Sequence, residues 1–101
     1  MTDWSNCLRF ELEIDAVQVE RLETCIEALG VERWTVVSAH SGRTGEGRWS
    51  RAGQITASGR RMLVLFSVPH EQADRVRTRL GEELERLNGD AVSYSVTVCR
   101  H

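Results

Sequence analysis

MLVLFSVPHEQADRVRTRLGEELERLNGDAVSYSVTV, residues 62–98, decides the fold. Met62 to Val68 runs continuously apolar, as expected of a strand buried on both faces, and Pro69 ends it. Ala73, Val76, Leu80, Leu84 and Leu87 then recur at spacings of three, four, four and three, which predicts an amphipathic helix ending near Asn88-Gly89. Val92, Tyr94, Val96 and Val98 alternate with Ser93, Ser95 and Thr97, the period of a strand. The stretch therefore reads strand, helix, strand.

The same order stands upstream. Leu8, Phe10, Leu12 and Ile14 alternate with Arg9, Glu11 and Glu13, and Asp15 follows at an N-cap position. Val19, Leu22, Ile26 and Leu29 give the next helix one apolar face, and Gly30 stops it. Trp34 to Ser41 reads as a second strand. The sum is βαββαβ, expected to fold as an α+β ferredoxin-like sandwich: a four-stranded antiparallel sheet in order 4-1-3-2 with two helices on one face. A third strand apolar on both faces needs cover on the side without helices, and a partner subunit supplies it, with Arg9, Glu11 and Glu13 as polar pairs in the contact. In this order the start of strand 1 lies beside the end of strand 4, making Cys7 and Cys99 neighbours that could pair.

Between strands 2 and 3 the composition changes. Residues 42–61 hold five of the eight glycines and Arg43, Arg48, Arg51, Arg60 and Arg61 against one acid, Glu46, a local charge of +4 in a chain of net −2. Glycine lets backbone N–H groups approach a ligand and Arg offers a bidentate fork, so the stretch reads as an oxyanion site, phosphate above all. The same composition also fits a solvated, disordered loop.

The remaining features mostly exclude. The 101 residues make one domain, 1–101, with the loop at about 42–61 inside it. An acidic balance argues against a general nucleic-acid binder. The RNA-recognition motif shares the strand order but stacks bases on aromatics of its third strand, where this chain has Phe66 alone. No run is long and apolar enough to span a bilayer and Met1 to Asn6 is polar, which leads to the expectation of a cytoplasmic protein without membrane insertion. All 13 basic residues are Arg, so lysine Schiff-base chemistry and a lysine phosphate loop are ruled out. Cys7, Cys25 and Cys99 lack a CxxC pair, leaving reduced thiols as the expectation and no metal site. His40, His70 and His101 have no nucleophile motif around them, and no catalytic residue is assigned.

Taken together, Gly30-Val31-Glu32-Arg33-Trp34-Thr35-Val36, Ser41-Gly42-Arg43-Thr44-Gly45, Phe66-Ser67-Val68-Pro69-His70-Glu71 and Asn88-Gly89-Asp90 resemble the PII signal-transduction family. Within it the chain is most similar to the carboxysome-associated, bicarbonate-linked PII-like branch. The likeness covers nearly the whole length. It implies a homotrimer binding ADP, AMP or ATP in clefts between subunits, with bicarbonate as a second ligand and no catalytic cofactor. It further implies that Thr35 bonds the adenine and that Leu65, Phe66 and Ser67 offer main-chain groups to its edge. Ser41, Gly42, Arg43, Thr44 and Gly45 would meet the phosphates, with Gly89 and Asp90 across the cleft.

Two departures from the family pattern refine this. Ala91 and Val92 stand where the resemblance implies a phosphate-binding lysine, so either Arg60, Arg61 or Arg100 substitutes or the phosphate contact is weaker. The mobile loop, the T-loop of the family, lacks its modified tyrosine, since Tyr94 lies in strand 4; this favours the carbon-related branch. The resulting expectation is a non-enzymatic sensor signalling through residues 42–61 to a bicarbonate transporter or other carbon-uptake partner. Ser41 to Arg43 and Arg60-Arg61 would serve as hinges near the nucleotide, with Arg48, Trp49 and Arg51 at the tip. The open alternatives are a CutA-like metal-handling trimer, a small ferredoxin-like enzyme, and an oligomeric adaptor gripping an acidic surface.

Overall fold

The computed structural model describes residues 4–44, 47–50, 60–87 and 90–100. Its elements run β1 (Trp4–Asp15), α1 (Val19–Ala28), β2 (Thr35–Ser38), β3 (Ser41–Thr44), β4 (Gly47–Ser50), β5 (Arg61–Pro69), α2 (Ala73–Leu87) and β6 (Asp90–Arg100). Short 3₁₀ turns, Ala16–Gln18 and His70–Gln72, lead into the two helices. Four strands form one antiparallel sheet in the order β2-β5-β1-β6, and β3 with β4 forms a separate two-stranded ribbon.

Alternation in the strands chooses the face that the helices cover. Leu8, Phe10, Leu12 and Ile14 of β1 and Val64, Phe66 and Val68 of β5 are buried against Leu22 and Ile26 of α1 and Ala73, Val76, Leu80, Leu84 and Leu87 of α2. Phe10 and Phe66 are register partners whose rings stack with centroids 5.1 Å apart. The two helices thus share one side of the sheet.

The opposite side is left open by the single chain. Leu63 and Leu65 are only half-buried, so the single chain buries β5 on one face rather than two. Val37 on β2 is 41% exposed beside them in register. On β6, Val92 and Tyr94 pair in register with Glu11 and Arg9, whereas Ser93 and Ser95 pair with the core-facing Phe10 and Leu8.

The helix boundaries have local causes. Asp15 precedes the 3₁₀ turn in an extended conformation and makes no side-chain cap, so the chain enters α1 without the expected Asp cap. At the other end Gly30 adopts φ +89°, Gly30 N–H donates to Glu27 O (3.0 Å), and Val31 N–H donates to Ile26 O (3.1 Å). This is a Schellman closure with Val31 and Ile26 both in the core. It turns the chain back so that Trp34 can donate through Nε1 to Glu23 on α1 at 2.8 Å.

Cysteine usage also differs from expectation. Cys7 is fully buried and disulfide-bonded, rather than a reduced thiol. Cys25 is the free cysteine among the described residues. The backbone register sets Cys99 opposite Ser5, beside a bulge that lies between Ser5 and Cys7.

Candidate functional site

The ribbon lies between β2 and β5, at the end of the sheet where β1 finishes and β6 starts. Two backbone bonds fasten this end: Ala39 N–H donates to Arg61 O (3.0 Å), and Ala16 N–H donates to Arg60 O (2.8 Å). Arg61 adds a side-chain clasp. Its guanidinium lies 3.2 Å from Glu13 Oε2 and also donates to the Glu13 carbonyl at 3.4 Å, with the Arg61 side chain only 14% exposed. Arg60 and Arg61, expected as phosphate candidates, thus help hold the sheet end, and Glu13 is a contributor that sequence reasoning did not single out. Its position on the face opposite the core was readable from alternation; its pairing was not.

Above this clasp the ribbon sets Ser41 opposite Ser50, Gly42 opposite Trp49, Arg43 opposite Arg48 and Thr44 opposite Gly47. Gly47 takes φ +120°, a conformation that L side chains rarely adopt, so glycine is required where the ribbon turns. His40, Ser41, Gly42, Arg43, Arg48 and Ser50 line a cavity of about 760 Å³. His40 and Ser50 are additions to the expected set, brought in by strand pairing rather than by any local motif. Arg48, assigned by sequence to a distant tip, is instead the cross-strand neighbour of Arg43. Gly45, Glu46, Arg51, Gly53 and Gly59 lie outside the described residues.

Two guanidinium groups directly across a two-stranded ribbon repel, and like charges at such positions destabilise the pairing. An anion between them removes the repulsion and receives two planar forks of N–H donors. With Gly42 adjacent, main-chain donors can approach the same ligand without a side chain intervening. The cavity is chemically suited to an oxyanion.

The other expected residues divide into those near this cavity's end of the sheet and those remote from it. Thr35 is exposed on β2 directly opposite Leu65 of β5, so the two residues expected around an adenine are brought together. Ser67 lies two residues further along β5, opposite Arg9. The Phe66 side chain is in the core and 2% exposed, which leaves main-chain groups as its available contribution. Asp90 begins β6 opposite Glu13, at the ribbon's end of the sheet. Arg100 is at the other end, opposite Trp4; ten residues of strand separate it from Asp90, on the order of 30 Å. Within one chain Arg100 therefore does not converge with Arg43. Gly89 lies outside the described residues. Among the described residues no group of three or more His, Cys, Asp or Glu is placed to hold a metal ion, and no helix is long and apolar enough to cross a membrane.

No family model and no curated protein matches the chain by sequence. Backbone comparison does find similar structures. The chain superposes with a TM-score of 0.80 on CPII, a nitrogen regulatory PII-like protein from Thiomonas intermedia K12 bound to ADP, AMP and bicarbonate, over 95% of this chain and 91% of that one. The fold is PII-like. Sequence identity to CPII is 16%, so the agreement lies in the path of the backbone. The apo form of CPII matches with a TM-score of 0.72 at 13% identity, covering 100% of this chain and 99% of that one. A protein from Thermus thermophilus assigned to PII-like signalling proteins matches at 0.72 with 21% identity, over 93% of this chain and 90% of that one.

Proposed function

We propose that this protein is a PII-like regulatory sensor, not an enzyme, that binds adenine nucleotides and bicarbonate and signals through residues 42–61. The observation that carries the reading is the Arg43–Arg48 pair across the ribbon, over Ser41 and Gly42 at its base. On a PII-like fold this is a polar, positively charged cavity, and Thr35 of β2 pairs with Leu65 of β5 in the adjoining sheet. The nucleotide phosphates lie against Ser41, Gly42 and Arg43, with Thr35 and the β5 main chain at Leu65 and Ser67 toward the adenine. Bicarbonate, small, planar and anionic, occupies the space between the two guanidinium forks.

The working unit is a homotrimer. Leu63, Leu65 and Val37 on the uncovered sheet face favour association through that face, since apolar groups left there gain by burial against another subunit. A neighbouring subunit supplies the side of the nucleotide cleft that one chain lacks, and this is the arrangement in which Arg100 can serve. Ligand between Arg43 and Arg48 relieves repulsion in the ribbon and shifts residues 42–61 toward one conformation, which a cytoplasmic carbon-uptake partner, such as a bicarbonate transporter, reads.

Isothermal titration calorimetry with ADP, AMP and ATP, each with and without bicarbonate, tests the reading. Saturable heat with at least one nucleotide is expected. Absence of binding to all three under both conditions overturns it.

A further inference from the structure

On the side of the molecule covered by the helices, a second cavity of about 580 Å³ opens between α1 and α2. Its apolar floor comes from Cys25, Ala28 and Leu29, and Thr24 turns its hydroxyl back to Glu20 O (3.1 Å). Arg21, Arg75 and Arg79 surround this floor with Glu83 as the one carboxylate in the lining.

The charge is unevenly balanced. Glu83 serves two cations, Arg21 at 3.2 Å and Arg86 at 3.3 Å. Arg75 donates to a neutral acceptor, the Leu29 carbonyl (2.7 Å) at the C-terminal end of α1. Arg79 faces Glu82 at 3.6 Å with both side chains more than half exposed, a pair that water and salt largely screen. Each guanidinium carries five N–H donors and these contacts use few of them. Burial, reinforced by Glu83 and opposed by Arg79, pushes the Cys25 thiol above its ordinary pKa, so the floor is neutral at physiological pH.

We propose that the α1–α2 groove is a second ligand site, independent of the ribbon cavity, for a small organic carboxylate with a short apolar body. The carboxylate sits between Arg75 and Arg79, and the hydrocarbon covers Cys25, Ala28 and Leu29. The cavity volume falls within the range of small-molecule sites, and net positive lining over an apolar floor selects an amphiphilic anion over a cation or a plain ion.

Protection of Cys25 reads out occupancy directly. Hexanoate at millimolar concentration is expected to slow maleimide labelling of Cys25 in the intact protein several-fold, with Cys25→Ser assigning the labelled thiol. Hexylamine, with the same body and the opposite charge, and acetate, with the charge and almost no body, are expected to leave the rate unchanged. Arg79→Ala, an exposed change, is expected to weaken hexanoate protection about tenfold. Saturating ADP leaves the protection in place, which separates this site from the nucleotide site. Failure of hexanoate to protect, equal protection by hexylamine, or unaltered protection in Arg79→Ala overturns the proposal.

Discussion

At the residue scale, Arg43 and Arg48 show how a single register fact changes the meaning of a charge cluster. Sequence order separates them by five positions and reads them as hinge and tip; the ribbon makes them opposite neighbours. Arg43→Ala is expected to weaken nucleotide binding by about 10–100-fold, the effect of losing a charge-assisted contact to phosphate. Arg48→Glu should instead strengthen the empty ribbon by replacing repulsion with attraction while removing bicarbonate binding. Calorimetry on the two variants, with hydrogen exchange across residues 41–50, distinguishes these effects. Phe66 has a different role from its neighbours. Its stack on Phe10 in a fully enclosed core predicts that Phe66→Ala lowers unfolding free energy by about 3–5 kcal/mol, measured by urea denaturation.

Among the elements, the long periodic ones were legible and those defined by pairing were not. The spacing of Ala73, Val76, Leu80, Leu84 and Leu87 placed α2, and all five are buried in it. The alternation in Leu8 to Ile14 placed β1 because one face meets helices and the other does not. Met62 to Val68 carries no such alternation, so sequence read both faces as apolar and a partner subunit as the second cover, and in the single chain Leu63 and Leu65 are half-buried. The ribbon left no periodic signal because each strand has four residues rich in glycine, serine and arginine, and its stability comes from cross-strand bonds. Arg61 was visible as charge, yet its clasp on Glu13 depends on a contact across 48 positions of chain. The end of α1 is the best-determined local feature. With φ +89° and no atom within 4 Å of an added Cβ, Gly30→Ala is expected to cost about 1 kcal/mol, purely through backbone conformation. Cys25, within the same helix, has a thiol pKa raised by burial. The stability associated with its neutral form is present below the unfolded thiol pKa and is lost as pH rises through the higher folded value, so Cys25→Ala should flatten the alkaline end of the stability profile.

At the scale of the whole molecule, the sheet has one face covered by helices and one left open. The helices bury one side, and Arg21, Arg75 and Arg79 line their outer groove. The other side leaves Leu63, Leu65 and Val37 only partly covered, and the separate ribbon lies in the chain between β2 and β5. If the proposed trimer forms through this face, Leu65→Arg is expected to give monomers in light scattering and to abolish nucleotide binding, because the proposed cleft lies between subunits. The most direct measurement is a crystal structure grown with ADP and bicarbonate. A trimer is expected, with ADP between two subunits, its phosphates within hydrogen-bond distance of Ser41 to Arg43, and bicarbonate between Arg43 and Arg48. Nucleotide bound elsewhere, with the Arg43–Arg48 cavity empty, would contradict this.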